Sequence, residues 1–196
     1  MTEVGSPRPA EVFAAVDVHY LGAEGSRAAL VAAPDALFSS VMWSKTAMAP
    51  AAAPYQPAEF WRRELPPLRA VLEGVTGLAL IVVDGYVDLS PAGQPGLGAR
   101  VHAEFDVPVI GVAKTLFRTA VHAPQVCRGR SARPLFVTAA GMERRDAARV
   151  VAQMTGPYRI PDAPRLADRL ARGLDHPARR TANERSAAPN QLCDAG

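Results

Sequence analysis

Lysine is almost missing from this chain: of 22 basic residues only Lys45 and Lys114 are lysine, and arginine fills the rest. Cysteine is equally scarce. Cys127 and Cys193 are far apart, offer neither a metal-binding spacing nor a disulfide framework, and fit a reducing, cytoplasmic setting. No run approaches the roughly 18 to 20 consecutive apolar residues of a membrane span. The opening residues Met1 to Arg8 also lack the basic and apolar segments of a secretory signal, so no membrane partner is expected. No internal repeat is apparent. What remains is an ordinary globular composition, 48% hydrophobic and 21% charged over 196 residues, enough for one domain with a sizeable core. The net charge of +3 permits a nucleic-acid partner without requiring one. Arg128, Arg130 and Arg133 cluster in one stretch, and Arg165, Arg169, Arg172, Arg179 and Arg180 in another. Such groups could neutralise phosphates or simply form a solvated basic surface.

Against that scarcity, Lys114 stands out. It ends the apolar run Val107-Pro-Val-Ile-Gly-Val-Ala-Lys-Thr-Leu-Phe117. An ammonium is a compact, mobile charge suited to a phosphate or a reacting water, whereas a strand-end lysine that only reaches for solvent is the plainer alternative. Three acids share related settings. Asp17 lies inside Val12-Phe-Ala-Ala-Val-Asp-Val-His-Tyr20, Asp84 follows Leu78-Ala-Leu-Ile-Val-Val83, and Glu64 sits early in a helical pattern, Phe60-Trp-Arg-Arg-Glu-Leu-Pro-Pro-Leu68. A carboxylate in or just after a buried strand is costly unless it is paired or binds a cation. Each alone reads equally as a turn or cap acid. Together with Lys114 they point to a divalent-metal site, and hard oxygen ligands favour Mg²⁺ or Mn²⁺ over Zn²⁺.

The periodicity predicts a loose, flexible leader over 1–10 and strands at 11–20, 27–33 and 40–48, close enough to pair as an antiparallel meander. A helix follows at 58–74, then strand 78–83, helix 96–104, strand 107–113, strand 134–139 and helices at 143–155 and 165–172. Residues 11–175 read as one domain, and the aperiodic tail 176–196 as disordered. A meander followed by parallel β-α-β elements predicts an α/β fold, a ribonuclease H-like mixed sheet flanked by helices. Carboxylates from the first strand and a later neighbour meet at one end of such a sheet.

With these residues placed, the chain resembles the endonuclease V family of nucleases, which act at deaminated adenine (inosine). Val16-Asp-Val-His-Tyr20 resembles its first-strand aspartate motif, and Pro54-Tyr-Gln-Pro57 its Pro-Tyr-x-Pro wedge. Phe60-Trp-Arg-Arg-Glu-Leu-Pro66 resembles the Phe-x-x-Arg-Glu-x-Pro block, and Val83-Asp-Gly85 the second aspartate. Asp106-Val-Pro-Val-Ile-Gly-Val-Ala-Lys-Thr115 and Arg159-Ile-Pro-Asp-Ala-Pro-Arg-Leu-Ala-Asp168 complete the series. Each motif is weak alone; their order over roughly 12–172 is specific.

The resemblance implies that Asp17, Glu64 and Asp84 hold Mg²⁺ (or Mn²⁺) at the scissile phosphate and that Lys114 sits beside that phosphate or orients water. Tyr55, restrained by Pro54 and Pro57, would wedge into the bases as the lesion leaves the stack. Gly85 and Gly111 would contribute backbone groups that meet the substrate. It implies a monomer that hydrolyses a phosphodiester 3′ of a deaminated purine in DNA or RNA, leaving 3′-hydroxyl and 5′-phosphate ends. The departures matter too. Where the family has Gly-His after the last strand, its histidine completing the metal site, this chain has Gly141-Met142, and Glu143 or Asp146 is the candidate replacement ligand. The family's Asp-Gly-Asn-Gly and His-Pro become Asp84-Gly-Tyr-Val-Asp-Leu-Ser-Pro91, and its Ala-Ser-His becomes Gly98-Ala-Arg100. These changes raise the alternative of a relative that binds nucleic acid without cutting it efficiently.

Overall fold

Between the first three apolar runs the connections contain no α-helix to carry the chain across the sheet, so each strand folds back on the one before it. The computed structural model describes residues 11–50 and 60–176. Here β1 (Val12–Tyr20), β2 (Ser26–Ala33) and β3 (Trp43–Ala49) form the expected antiparallel meander. The β1–β2 turn closes through Gly25 at φ 104°, where a Cβ would lie 2.2 Å from the Ala49 carbonyl oxygen, so only glycine fits.

The chain then crosses through α1 (Trp61–Leu72) to β4 (Leu78–Asp84), and through α2 (Leu97–Phe105) to β5 (Val109–Ala113). Helical crossovers return the chain in the same direction, and β1–β4 and β4–β5 are parallel. Pro66 and Pro67 lie inside α1 and remove two backbone donors, yet the helix continues because Leu65, Leu68, Val71 and Leu72 are buried beneath it. No helix separates β5 from the short β6 (Gln125–Val126) and from β7 (Leu135–Ala140), so β7 returns antiparallel to β5. The sheet order is β3-β2-β1-β4-β5-β7-β6, the ribonuclease H-like mixed arrangement extended by an antiparallel edge.

Period-2 alternation gives the sheet two buried faces. Leu68, Val71, Leu97 and Val101 of α1 and α2 cover Val16, Ile81 and Val83. On the other face, α3 (Arg144–Gln153) and α4 (Asp162–Ala171) cover Ala15, Val82, Ile110 and Val112. Helix α4 starts three residues before its expected position: Pro164 occupies the third helical residue, where the backbone donor has no intrahelical partner to lose. The expected leader lies outside the described residues, as does the expected tail apart from its first residue, His176. No described helix is long and apolar enough to cross a membrane.

Candidate active site

Parallel strands bring their C-terminal ends to one edge, and the acids collect there. Val16 pairs with Val83, so Asp17 and Asp84 follow side by side on adjacent strands. Asp84 pairs in turn with Val112, which puts Lys114 two residues further along on the same face. The Lys114 Nζ donates to Asp84 Oδ2 at 2.5 Å. A cavity of about 90 Å³ opens here, lined by Asp17, Asp84, Val112, Lys114, Arg165 and Asp168 among others. Glu64 approaches from the opposite layer on α1; it is 5% exposed and accepts a hydrogen bond from the Tyr20 hydroxyl. Arg63 lies over the Tyr20 ring at 4.1 Å.

The electrostatics are those of acids crowded without enough countercharge. Burial, then the neighbouring Asp84, pushes Asp17 up to about 7. Burial pushes Glu64 up to about 8 against the relief of the Tyr20 hydrogen bond, with Asp17 and Asp84 adding to the rise. Lys114 is half-buried, which disfavours its charge, yet Asp84 first and then Asp17 and Asp168 hold its pKa above the ordinary lysine value. Lys114 is therefore a cation here, not a base. The other lysine has a different role: Lys45 Nζ donates to the Glu73 carbonyl just past the end of α1, at 2.9 Å.

The donors fit a hard cation, since all are carboxylates. Among the described residues no three His, Cys, Asp or Glu side chains form a ready-made ligand sphere. Asp84 is turned to Lys114, Glu64 to Tyr20, and Asp168 to Arg172 Nε at 2.8 Å.

Asp168 is the site residue that sequence reasoning missed. Its motif was visible, but not that α4 lies across the strand ends and carries Asp168 to Asp17. Arg159, from the same motif, donates to the carbonyls of Lys114 and Pro134, the latter at 2.8 Å, and so fixes the backbone at the lysine. The expected replacement ligands are not at this site. Because β7 is antiparallel to β5, Ala140 pairs with Val109 at the start of β5, whereas Lys114 follows its end. Met142 packs against the core, Asp146 pairs with Arg149 at 2.5 Å, and Glu143 precedes α3. A five-residue strand at about 3.3 Å per residue separates that end from the carboxylates. Met142, Glu143 and Asp146 therefore do not line the carboxylate cavity.

Gly111, expected from the sequence to meet the substrate, lies beneath the loop that follows β4. It is buried, and a Cβ there would lie 2.7 Å from the Gly85 carbonyl oxygen and 2.8 Å from both Thr138 Oγ1 and Val87 N. Its bareness seats the loop that follows β4. Gly85 does line a second cavity, about 190 Å³, whose walls include Phe60, Trp61, Tyr86, Leu89 and Phe117. Arg100 and Arg62 flank the Trp61 ring at 4.4 and 5.1 Å. The wedge residues Pro54, Tyr55 and Pro57 lie outside the described residues. Arg128, read from sequence as part of a basic surface, is 6% exposed. Its guanidinium donates to the carbonyls of Ala152, Met154, Gly156 and Tyr158, closing the C-terminal end of α3.

Comparison with known proteins agrees with this fold. The family model for endonuclease V matches residues 2–140. An endonuclease V of Rhodospirillum centenum is 30% identical, covering 85% of this chain and 79% of its own length. One from Streptomyces avermitilis is 30% identical, covering 88% and 84%. The crystal structure of an endonuclease V from Streptomyces avermitilis superposes with a TM-score of 0.68 at 26% identity, covering 86% of this chain and 83% of that one. Ciona intestinalis endonuclease V, solved with a 23mer DNA containing an inosine, shares the fold at a TM-score of 0.71 and 17% identity, with 84% and 85% coverage. With its motifs in order and the family model spanning more than half of its length, the chain belongs to the endonuclease V family of nucleases.

Proposed function

We propose that this protein is a metal-dependent endonuclease that hydrolyses the phosphodiester 3′ of a deaminated purine, inosine above all, in DNA or RNA. The observation that carries the reading is the gathering of Asp17, Asp84, Asp168 and Lys114 around one cavity, with Glu64 electrostatically coupled to it. Asp17, Asp84, Asp168 and Glu64 would hold Mg²⁺ or Mn²⁺. Bound there, the cation supplies acidification of the attacking water and neutralisation of charge on the departing oxygen. Lys114, kept protonated by its acidic neighbours, would contact a non-bridging phosphate oxygen and orient water. Arg159 keeps that lysine in place through its carbonyl.

The aromatic cavity beside Gly85 suits a base taken out of the stack, since planar apolar walls can hold a purine of any exocyclic pattern. Backbone groups around Gly85 are then available to read the hypoxanthine edge. Binding without efficient cleavage is the second reading, favoured by the departures in Asp84-Gly-Tyr-Val-Asp-Leu-Ser-Pro91 and Gly98-Ala-Arg100 and not by Met142, which stands away from the carboxylates.

The test is direct. Single- and double-stranded DNA and RNA, each with and without one inosine, are incubated with the protein in Mg²⁺ or Mn²⁺, with Asp84→Ala as control. Cleavage confined to inosine substrates, dependent on the cation and lost in Asp84→Ala, is the expected result. Inosine-dependent binding with no cutting under any condition would replace this reading with a binding role.

A further inference from the structure

Two loops meet at the aromatic cavity opposite Phe60 and Trp61: residues 85–96 after β4, which supply Gly85, Tyr86, Leu89 and Gly96, and residues 114–124 after β5, which supply Phe117. Neutral hydrogen bonds stitch them together. The Tyr86 hydroxyl donates to the Thr115 carbonyl at 2.8 Å and accepts from the Phe117 amide at 3.0 Å. Thr119 Oγ1 donates to the Leu89 carbonyl at 2.6 Å. The 85–96 loop is also closed on itself by a bridge between Asp88 and Pro95, and Val87 N donates to Thr138 Oγ1 at 2.7 Å.

One contact differs in kind. Asp88 is 7% exposed, and its Oδ2 accepts from Arg144 Nη2 at 2.8 Å while standing 2.9 Å from His122 Nε2. The imidazole is angled away from a hydrogen bond, so that contact is an ion pair when His122 is protonated. Asp88 Oδ1 and His122 Nδ1 are buried without a hydrogen-bond partner among the described residues. A buried carboxylate so incompletely satisfied is a poor source of stability, and an apolar residue would close the loop at less cost, as Val87 does beside it. What the charged group adds is direction. It fixes the loop that supplies the wall residues Tyr86 and Leu89 against the loop that supplies Phe117 and, outside the cavity, carries His122, and against the first residue of α3.

We propose that Asp88, gripped by Arg144 and His122, is a positioning residue that sets the separation of the two cavity walls and thereby the discrimination between bases. The proposal rests on the reading that this cavity receives the deaminated base. Asp88 touches neither the phosphate site nor the base; it acts through the walls. The neutral stitches and the Val87–Thr138 bond keep the loop folded when the charge contact is broken, so the cost falls on selectivity.

The experiment uses the full chain as wild type, Asp88→Asn, Arg144→Gln, His122→Gln and the Asp88→Asn/Arg144→Gln double variant. Fluorescence anisotropy in chelator gives Kd for single-stranded DNA carrying one inosine or, in its place, adenosine. Single-turnover cleavage at saturating inosine DNA in Mg²⁺ gives the chemical step. We expect Asp88→Asn and Arg144→Gln each to lose about tenfold of the inosine preference, while the saturated cleavage rate stays within about threefold. The double variant loses no more than either single one, because both break the same contact. If Asp88→Asn does not fold, Arg144→Gln and His122→Gln carry the comparison. Folded variants with the wild-type preference, or with saturated cleavage and preference lost in equal measure, would overturn the proposal alone. A wild type without inosine preference would overturn both the proposal and the reading beneath it.

Discussion

Removing divalent cations and raising the pH should destabilise this protein, in the direction opposite to ordinary acid denaturation. Burial raises Asp17 from 3.8 to about 7 and Glu64 from 4.5 to about 8, with neighbouring carboxylates adding to each. Both groups therefore bind more protons in the folded chain than in the unfolded chain between about pH 4 and pH 8. Their contribution is full below the ordinary carboxylate values and is lost as the pH rises through the folded ones. A rise of about three pH units in one pKa is worth at most about 4 kcal/mol. The two acids repel each other and share Asp84 as a neighbour, so their contributions overlap. We expect a total loss of about 3 kcal/mol between pH 5 and pH 9, or about 6 to 12 °C of melting temperature for a domain of this size. Thermal melts in EDTA across that range measure it. Asp17→Asn should flatten the slope and melt higher than wild type at pH 9, and millimolar Mg²⁺ or Mn²⁺ should stabilise the wild type more at pH 9 than at pH 5. A melting temperature in EDTA that is level or rises with pH, or an Asp17→Asn slope equal to that of wild type, would refute the reasoning.

Other expectations follow from the same geometry. Lys114→Met should lower single-turnover cleavage of inosine DNA by roughly 10²- to 10³-fold while leaving Kd within a few-fold, and Lys114→Arg should fail to restore it, since a planar fork replaces a point charge beside Asp84. An arginine variant with full activity would remove the special role given to the ammonium. Met142→His should leave cleavage within about twofold of wild type, because the side chain lies at the far end of β5; a large gain would mean that the carboxylate edge is not the metal site. Asp168→Asn should weaken Mn²⁺ affinity measured by calorimetry and lower cleavage about as much as Asp84→Asn does. Arg128→Ala should cost about 3 kcal/mol in urea unfolding, leaving buried carbonyls around α3 without a donor, and the folded fraction should keep normal cleavage.

What the sequence made legible is what local physics enforces. Asp17 and Asp84 could be picked out because a charge in or after an apolar run is costly, and the spacing of the runs predicted the meander and the two parallel crossovers. Glu64 was readable because α1 is amphipathic, even with Pro66 and Pro67 inside it. The rest depended on direction and contact. Nothing local states that β7 runs antiparallel to β5, and that single fact moves Met142, Glu143 and Asp146 from the carboxylate edge to the opposite one. Arg128 looked like surface because arginine usually is; only the fold shows four carbonyls converging on it. Asp168 lies on a helix distant in sequence from both strands it serves.

The layering explains why this site draws on so many separate elements. Asp17, Asp84 and Lys114 belong to the sheet face covered by α3 and α4, and Asp168 is contributed by α4 itself. Glu64 comes from α1 on the other face and reaches the edge beside Tyr20, whose hydroxyl holds it. A cation engaging both Asp17 and Glu64 would therefore tie the two helical layers together across the sheet edge, where Lys114 pairs with Asp84, Tyr20 with Glu64 and Arg172 with Asp168. Those partners offset part of the repulsion among the acids at this edge. The loop after β4 extends this logic to the base. It leaves the sheet at Asp84, is seated by the bare Gly111, and turns within four residues to bury Asp88 against Arg144 of α3, so the carboxylate paired with Lys114 and the cavity wall are fixed by one short piece of chain.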